Sequence, residues 1–399
     1  MKTAVILPPT AASFQTVAGL PLIQRTVLSA ARCDFDRIVV LGNGRAEPLR
    51  TLLAGDKRTR AVEVTKGLSQ VEGSSVTVIP SDRLLTAATL ARVNAASLDG
   101  RPLLFGAGGR HDIAVCRPGM LSGIDLNALA AQGADAVWAA LHARGAQTLP
   151  LDGEVCLPVG DEHSAAAAEL ALCKRLRADS AASDGPLAHW IDRRISLRIS
   201  RWLANHTRVR PNHITIVGTS IGLLAAATLS VGTYWAGVAG TLLFLCATIL
   251  DGCDGEVARL TFFDSPFGEK FDVITDNIVH VAIFIGLALG LYHQNASGHY
   301  PLLISILLGG FACDTALSYF FLVRRPGFAR SGGAPVTLKG KVRRKLLGLF
   351  EAMMNRDFAY LLLVLAVVDR LYWFFWGAAF GTYLFAILLV WIYRWRDAA

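Results

Sequence analysis

The fold of this chain is decided by a stretch that reads Asp251-Gly252-Cys253-Asp254-Gly255-Glu256-Val257-Ala258-Arg259 and is followed by Gly268, Asp272 and Asp276. Strongly apolar segments abut this stretch on both sides. The first two aspartates are three residues apart and the last two are four apart, so each pair would share one face of a helix. Carboxylates are costly at membrane depth and usually have a functional role there. The stretch therefore predicts two membrane helices whose ends carry a functional site.

The residue types of this stretch indicate metal and phosphate chemistry. Two helix ends that each offer two carboxylates form an oxygen-rich cage suited to a hard divalent cation such as Mg²⁺ or Mn²⁺. Two such ions would neutralise the carboxylates, and a phosphate could then bridge them. Gly255 lets a nucleotide or phosphate approach its helix closely, and Arg259 supplies a fixed cation. The alternative, a chance group of acids in a solvated loop, is disfavoured by the apolar flanks.

The pattern D-x2-D-G-x2-A-R-x8-G-x3-D-x3-D is complete in this chain. It resembles the signature of the CDP-alcohol phosphotransferases, also called CDP-alcohol phosphatidyltransferases. The resemblance implies a six-helix membrane domain that transfers a phosphoalcohol from a CDP-linked donor to an acceptor alcohol and releases CMP. It also implies two metal ions, Mg²⁺ or Mn²⁺, held by Asp251, Asp254, Asp272 and Asp276. Asp276 would in addition be the catalytic base, and the CDP site would be lined by Asp254, Gly255, Ala258, Arg259 and Gly268.

Composition and hydropathy agree with a multi-pass membrane protein. Of the 399 residues, 53% are hydrophobic, and beyond residue 214 they form long apolar stretches. Six spans of about 20 residues, the length that crosses a bilayer, are predicted at 214–232, 235–254, 272–292, 302–323, 358–371 and 374–393. The connection 324–345 is rich in Lys and Arg, whereas 293–300 has none. By the positive-inside rule, both termini and the aspartates would be cytoplasmic, in a bacterial or archaeal cell membrane.

The net charge of +8 has two interpretations, nucleic-acid binding or attraction to anionic lipid. Much of the excess lies beside the predicted spans, which favours membrane lipids as partners and no nucleic acid. Within 187–203 apolar residues recur at helical spacing with arginines between them, as in a basic amphipathic helix at the membrane interface. A soluble surface helix fits that pattern nearly as well. Asn212 and Thr215, at the entry to the first span, are either CDP ligands or helix-capping residues.

The first 175 residues alternate between strand-like and helix-like segments. Candidate strands at 4–7, 37–41, 62–64, 76–79 and 103–105 predict a parallel α/β sheet. Details such as Pro80-Ser81-Asp82 at a strand end resemble sugar-phosphate or polyol-phosphate nucleotidyltransferases. Those enzymes carry a glycine-rich loop with an arginine after the first strand. Here the corresponding residues 7–14 contain two prolines and neither glycine nor arginine, so the preferred interpretation is a nucleotidyltransferase-like fold that has lost catalysis.

Three regions are expected: a nucleotidyltransferase-like domain at 1–175, a linker with the interfacial helix at 176–210, and the membrane domain at 211–399. Their order resembles bifunctional enzymes that make CDP-inositol and then condense it with inositol phosphate. That resemblance implies transfer in phospholipid or inositol-phosphodiester biosynthesis, and a homodimer. Two alternatives stay open, a bifunctional enzyme whose first domain makes the CDP-polyol from CTP, and a divalent-cation transporter. A polyol-phosphate acceptor would be bound by Arg343, Arg344 and Lys345, which otherwise serve as cytoplasmic anchors.

Overall fold

The computed structural model describes residues 1–65, 74–106, 110–180, 185, 187–296, 299–318 and 357–394. The chain forms two compact units. The first consists of residues 1–175 with the short segments 204–206 and 260–262, and the second contains 176–203, 207–259 and 263–399. Each unit has its own hydrophobic core.

The first unit is built on a seven-stranded sheet. Its strands are β1 (Lys2–Ile6), β4 (Arg37–Leu41), β5 (Glu63–Thr65), β6 (Ser75–Ile79), β8 (Leu103–Gly106), β9 (Ile113–Cys116) and β10 (Gln147–Pro150), in the spatial order β10-β8-β9-β6-β1-β4-β5. The short strands β2 (Thr16–Val17) and β3 (Leu20–Pro21) pair with each other, as do β7 (Arg83–Leu85) and β11 (Cys156–Pro158). The helices of this region are α1 (Leu22–Ala31), α2 (Ala46–Ala54), α3 (Ala87–Asn94), α4 (Leu126–Ala131), α5 (Ala134–His142) and α6 (Glu162–Ser180).

The strand pattern explains the layering of the sheet. The central strand β1 is an almost continuous apolar run, and Ala4, Val5 and Ile6 are fully buried, as expected of a strand covered on both faces. It pairs in parallel with β4 and β6. All five predicted strands are present within one or two residues. The prediction of an all-parallel sheet is wrong at β9, which runs antiparallel to both β6 and β8.

The second unit is helical. It contains α7 (Arg193–His206), α8 (Pro211–Leu229), α9 (Tyr234–Thr261), α10 (Pro266–Gln294), α11 (Tyr300–Ser318), α12 (Phe358–Val367) and α13 (Leu371–Arg394). The last three residues of α7 and the last two of α9 are assigned to the first unit. Within the described residues, α8, α9 and α10 are each long and apolar enough to cross a membrane, and shorter apolar helices occur at Tyr300–Cys313 and Phe358–Val367. The predicted count of six spans stays a prediction.

Helices α8 and α10 pack closely because glycines line their contact. A Cβ added at Gly286 would lie 2.2 Å from the carbonyl oxygen of Ala226, and one at Gly290 would lie 2.2 Å from that of Leu229. Small residues at such positions let two helix backbones approach each other, as is common in membrane bundles. This contact fixes the two helices whose first turns border the site.

The aspartates lie inside helices rather than at helix ends. Helix α9 continues seven residues beyond Asp254, and α10 begins six residues before Asp272. The predicted membrane spans ended at Asp254 and began at Asp272, where the apolar pattern breaks. Helix α10 starts earlier because Ser265 caps it, accepting a hydrogen bond from the Gly268 N–H at 3.0 Å, and Pro266 occupies its first turn.

Candidate metal and nucleotide site

Three of the four predicted metal ligands come together in the helical unit. One carboxylate oxygen from each of Asp251, Asp254 and Asp272 lies within 4.8 Å of the other two. Asp254 is buried, and the buried Oδ1 of Asp272 has no hydrogen-bond partner among the described residues. Buried polar atoms normally have a partner, so this oxygen is oriented toward a group that the protein does not itself provide. An all-oxygen donor set of this kind fits Mg²⁺ or Mn²⁺.

The fourth aspartate, Asp276, lies one helical turn beyond Asp272. It lines a cavity together with Asp251, next to the three-carboxylate group. Thus Asp251 on α9 and Asp276 on α10 both line the cavity, and Asp251 is also a member of the three-carboxylate group. This placement suits a residue that must contact a bound substrate.

Asp254 is held in place by two hydrogen bonds. Its Oδ2 accepts a hydrogen bond from the hydroxyl of Thr215 on α8, and its Oδ1 accepts one from the N–H of Gly255. Helix α8 therefore orients a carboxylate that belongs to α9. Thr215 was predicted either to contact CDP or to cap its helix, and in the structure it contacts a predicted metal ligand.

The remaining predicted CDP contacts border the same region. A Cβ added at Gly268 would lie 3.5 Å from Asn212 Oδ1, so the beginnings of α8 and α10 meet there. The N-cap of α8 is Arg210 and makes no side-chain capping bond, so the capping role considered for Asn212 is not observed. At Gly255 an added Cβ would meet only the Arg259 guanidinium, at 3.8 Å. The backbone of α9 is therefore open to a ligand at this point.

Arg259 and Ala258 lie on different sides of their helix. The Arg259 residue is exposed, whereas Ala258 is buried. An exposed guanidinium one turn from Gly255 is accessible to a phosphate oxygen. The proposed acceptor residues Arg343, Arg344 and Lys345 lie outside the described residues.

A buried ionic network beside the motif was not predicted. Glu256 is 1% exposed and accepts hydrogen bonds from Arg193 Nη1 at 2.8 Å, Ser196 Oγ at 2.7 Å and Ser200 Oγ at 2.7 Å. The three donors lie on α7, and Glu256 occupies a variable position of the motif between Asp254 and Arg259. Helix α7 is thus fixed to the helix that carries the site. The serines at four-residue spacing on α7 were a sequence signal for a polar stripe.

Exposed aromatic residues occur on α7 and in the turn that precedes it. Trp190 is 61% exposed and Trp202 57% exposed, and Arg194 lies 5.3 Å from the ring centroid of Trp190. Indole rings with adjacent arginines are typical of the membrane–water interface. At its start, the N–H groups of Leu187 and Ala188 donate to the carboxylate of Asp357.

A cavity of about 260 Å³ adjoins the carboxylates. It lies within the helical unit, among α8, α9, α10 and the first residue of α12. Its lining residues are Thr215, Gly218, Thr219, Phe244, Ala247, Thr248, Asp251, Thr275, Asp276, Val279, His280 and Phe358.

In the first unit, amide groups of the segment that follows β1 form hydrogen bonds within that segment. The N–H of Thr10 donates to Ser13 Oγ at 2.9 Å, and those of Ser13 and Phe14 donate to backbone carbonyls within the same turn. Pro8 and Pro9 have no N–H to offer. A phosphate-binding loop needs several amides directed toward its ligand. In this segment three amides are already engaged and two positions are proline.

The acid predicted at the strand end, Asp82, adjoins a fixed cation. Arg83 Nε lies 4.0 Å from Asp82 Oδ1, and the Arg83 guanidinium also forms a buried ion pair with Asp112. Burial raises the pKa of Asp82 above its ordinary value, and the Arg83 charge only partly opposes that shift. A neighbouring guanidinium therefore already supplies part of the counter-charge of this carboxylate.

Comparison with known proteins identifies the class of the helical region. The sequence profile described as CDP-alcohol phosphatidyltransferase matches residues 208–395. The inner membrane protein YnjF of Escherichia coli is 30% identical over 147 residues, which cover 35% of this chain and 69% of that protein. The chain belongs to the CDP-alcohol phosphatidyltransferase family, whose members are transferases, and it is a membrane protein.

A longer relative shares part of its sequence with this chain. The bifunctional IPC transferase and DIPP synthase of Archaeoglobus fulgidus is 33% identical over 147 residues, which is 37% of this chain and 28% of that protein. The match thus spans little more than a quarter of that relative. Among solved structures, the phosphatidylinositol phosphate synthase of Mycobacterium tuberculosis with CDP-DAG bound has a TM-score of 0.33 and 21% identity, covering 49% of this chain and 92% of that one.

Proposed function

We propose that this protein transfers a substituted phosphate group from a CDP-linked alcohol to the hydroxyl of an acceptor alcohol and releases CMP. The observation that carries the proposal is the convergence of the motif carboxylates Asp251, Asp254 and Asp272 within 4.8 Å, in a chain of this family. The product would be a phospholipid, another polar lipid or an inositol phosphodiester.

The metal site would consist of Asp251, Asp254, Asp272 and Asp276, which together would hold two divalent ions, Mg²⁺ or Mn²⁺. Bound there, the ions would supply positive charge that stabilises the phosphates of the donor during transfer. The unpartnered Oδ1 of Asp272 and the oxygen-only donor set support this assignment.

The protein's own residues would bind the donor and move one proton. Gly255, Ala258 and Gly268 leave room for CDP beside α9 and α10, Asn212 and Thr215 border it from α8, and Arg259 would offset phosphate charge. Asp276 would accept the proton of the acceptor hydroxyl. The acceptor oxygen would form a bond to the β-phosphorus, the bond from that phosphorus to the CMP oxygen would break, and CMP would leave with the electron pair.

The surrounding architecture is proposed to be a six-helix bundle that forms a homodimer. The basic connection 324–345 would place the aspartates and both termini in the cytoplasm, where CDP-linked substrates occur. If the acceptor carries a phosphate, Arg343, Arg344 and Lys345 would bind it. Exposed Trp202 on α7 and exposed Trp190 just before it support an interfacial position for α7.

The first unit is proposed to be a nucleotidyltransferase-like domain that no longer makes a CDP-polyol. The internally bonded turn at Thr10–Phe14 and the cation beside Asp82 support this proposal. Incubation of the purified protein with CTP, Mg²⁺ and inositol 1-phosphate should give no pyrophosphate. Pyrophosphate release would instead establish the bifunctional alternative.

The main proposal is tested by offering CDP-diacylglycerol and CDP-inositol separately to the purified protein in detergent, with Mn²⁺ and candidate acceptors. Nucleotide chromatography should show CMP from one donor, and ³¹P NMR should show a new phosphodiester in equal amount. CMP without the phosphodiester would indicate hydrolysis. Uptake of Mn²⁺ into sealed vesicles without CMP formation would favour a cation transporter.

A further inference from the structure

Two arginines bind the backbone carbonyls at the end of α9. The last two residues of α9 and the residue after them belong to the first unit, as do both arginines. Arg25 Nη2 donates a hydrogen bond to the carbonyl of Leu260 at 2.7 Å, and Arg58 Nη1 donates to the carbonyls of Thr261 at 2.7 Å and Phe262 at 2.9 Å. The last carbonyls of a helix have no partner within it, so these guanidinium groups satisfy them and complement the negative end of the helix dipole.

Both guanidinium groups are also held by other acceptors. Arg25 is 3% exposed, and its Nη2 donates to the carbonyls of Val17 at 2.8 Å and Ala18 at 3.1 Å. Arg58 forms an ion pair with Asp56, with Nη2 and Oδ2 2.6 Å apart. The two arginines are therefore donors of fixed orientation, and the end of the helix is bound to them.

The backbone at the end of α9 has a conformation that its own sequence does not favour. Phe262 has a φ of +61°, and the N–H of Phe263 donates to the carbonyl of Ala258 at 2.9 Å, as in a Schellman motif. Glycine is usual at the position of Phe262, and a bulky residue with a positive φ persists only where its surroundings hold it. Here the Cζ atoms of Arg32 and Arg25 lie 4.5 Å and 5.3 Å from the centroid of the Phe262 ring.

Motif residues lie in the helical turn that these arginines hold. Arg259 precedes Thr261 by two residues, and only three residues separate Thr261 from Ser265, which caps α10. Arg259 is exposed, so the position of its backbone decides which phosphate oxygens its guanidinium can reach. Asp254 lies seven residues before the end of α9 and is held separately by Thr215. A change at the end of the helix should therefore displace Arg259 and leave the metal ligands in place.

We propose that Arg25 and Arg58 are positioning residues for the nucleotide site. By binding the carbonyls at the end of α9, they hold Arg259 where its guanidinium contacts the phosphates of a cytidine diphosphate. This inference rests on the proposed role of Arg259 in the CDP site. It gives the first unit a function in nucleotide binding that requires no catalysis by that unit.

The test measures the affinity of the purified full chain for CDP, in detergent with Mn²⁺. Arg259→Gln should weaken CDP binding about tenfold, because it removes a charge-assisted contact to phosphate. Arg58→Gln should weaken it about threefold or more, through the displaced Arg259. Arg144→Gln is the matched control, since Arg144 Nη1 also donates to two backbone carbonyls of the first unit, those of Met120 and Ser122. The control should bind CDP as tightly as the unmodified protein.

A double variant distinguishes positioning from a general loss of stability. Once Arg259 is glutamine, Arg58→Gln should weaken CDP binding no further, because its effect passes through Arg259. The rise of the thermal midpoint with Mn²⁺ alone should be the same in Arg58→Gln and in the control. Should Arg58→Gln fail to fold, Arg58→Lys retains the charge beside Asp56 but loses the planar fork that spans two carbonyls, and it should show the same dependence on Arg259.

The outcomes separate this inference from the transferase proposal. If CMP is never released from a donor but the loss of CDP affinity depends on Arg259 as described, the positioning role stands and the transfer reaction fails. If CMP is released while Arg58→Gln binds CDP as tightly as Arg144→Gln, the transfer reaction stands and the positioning role is overturned. Additive losses in the double variant would also overturn it. Absence of CDP binding by the unmodified protein would overturn both proposals.

Discussion

Replacing Glu256 by glutamine should destabilise the helical unit and weaken its activity. The carboxylate is 1% exposed and accepts three hydrogen bonds of 2.7–2.8 Å from α7. Arg193, one of the donors, is only 8% exposed, so loss of the negative charge would remove a buried ion pair.

The magnitude follows from the loss of that buried ion pair. Breaking a buried ion pair by removing one partner costs about 3–5 kcal/mol. Glutamine retains one acceptor oxygen for the serines, so we expect about 3 kcal/mol. For a unit of this size, each kcal/mol shifts the thermal midpoint by about 2–4 °C, so the midpoint should fall by about 6–12 °C.

The assay is thermal unfolding in detergent of Glu256→Gln, Arg193→Gln and the double variant, with CMP release measured on each. Because the two residues contact each other, the double variant should lose less stability than the sum of the single changes. Glu162→Gln, at an exposed helical site, is the control for the chemical change alone. A midpoint for Glu256→Gln within 2 °C of the unmodified protein, with additive losses in the double variant, would refute the reasoning.

Three further predictions concern packing, pH and metal. A Cβ at Gly286 would lie 2.2 Å from a carbonyl oxygen of α8, so Gly286→Ala should lower the unfolding free energy by about 1–3 kcal/mol. A Cβ added at Gly377 would have no neighbouring atom within 4 Å, so Gly377→Ala should be neutral by the same thermal assay. Hydrogen bonds from Arg58 lower the pKa of Asp56. At pH 7 the unmodified protein should therefore have an unfolding free energy about 1.5 kcal/mol higher than Asp56→Asn. This difference should shrink as the pH falls below about 4 and vanish below the lowered pKa, and a pH-independent difference would contradict this. Mn²⁺ should raise the thermal midpoint reversibly with EDTA, and Asp272→Asn should reduce that rise; an unchanged rise would remove Asp272 from the metal site.

Much of the site was predictable because its residues are close in sequence. The aspartates at spacings of three and four fix which side chains share a helix face, and the structure brings Asp251, Asp254 and Asp272 together. The predicted span bounds fell at Asp254 and Asp272, because hydropathy falls there although both helices extend past these carboxylates. Ser265 and Pro266 are the local signal that α10 begins before Asp272.

Contacts between distant segments were not predictable from local pattern. Glu256 occupies a variable motif position, and its partners Arg193, Ser196 and Ser200 precede it by more than fifty residues. Strand β9 was missed because antiparallel pairing with β6 and β8 depends on chain reversal through intervening loops. The cavity is likewise formed by helix packing, and in the sequence its threonines are only polar residues within apolar segments.

The central claim is that Asp276 and its neighbouring carboxylates carry out transfer from a CDP-linked alcohol. The most direct measurement is the rate of CMP release with saturating Mn²⁺, comparing the unmodified protein with Asp276→Asn. We expect CMP from one CDP-linked donor and a decrease of at least about a hundredfold in the variant, with its thermal midpoint retained. CMP release at an equal rate from the Asp276→Asn variant would contradict the assignment of the base and the mechanism built on it.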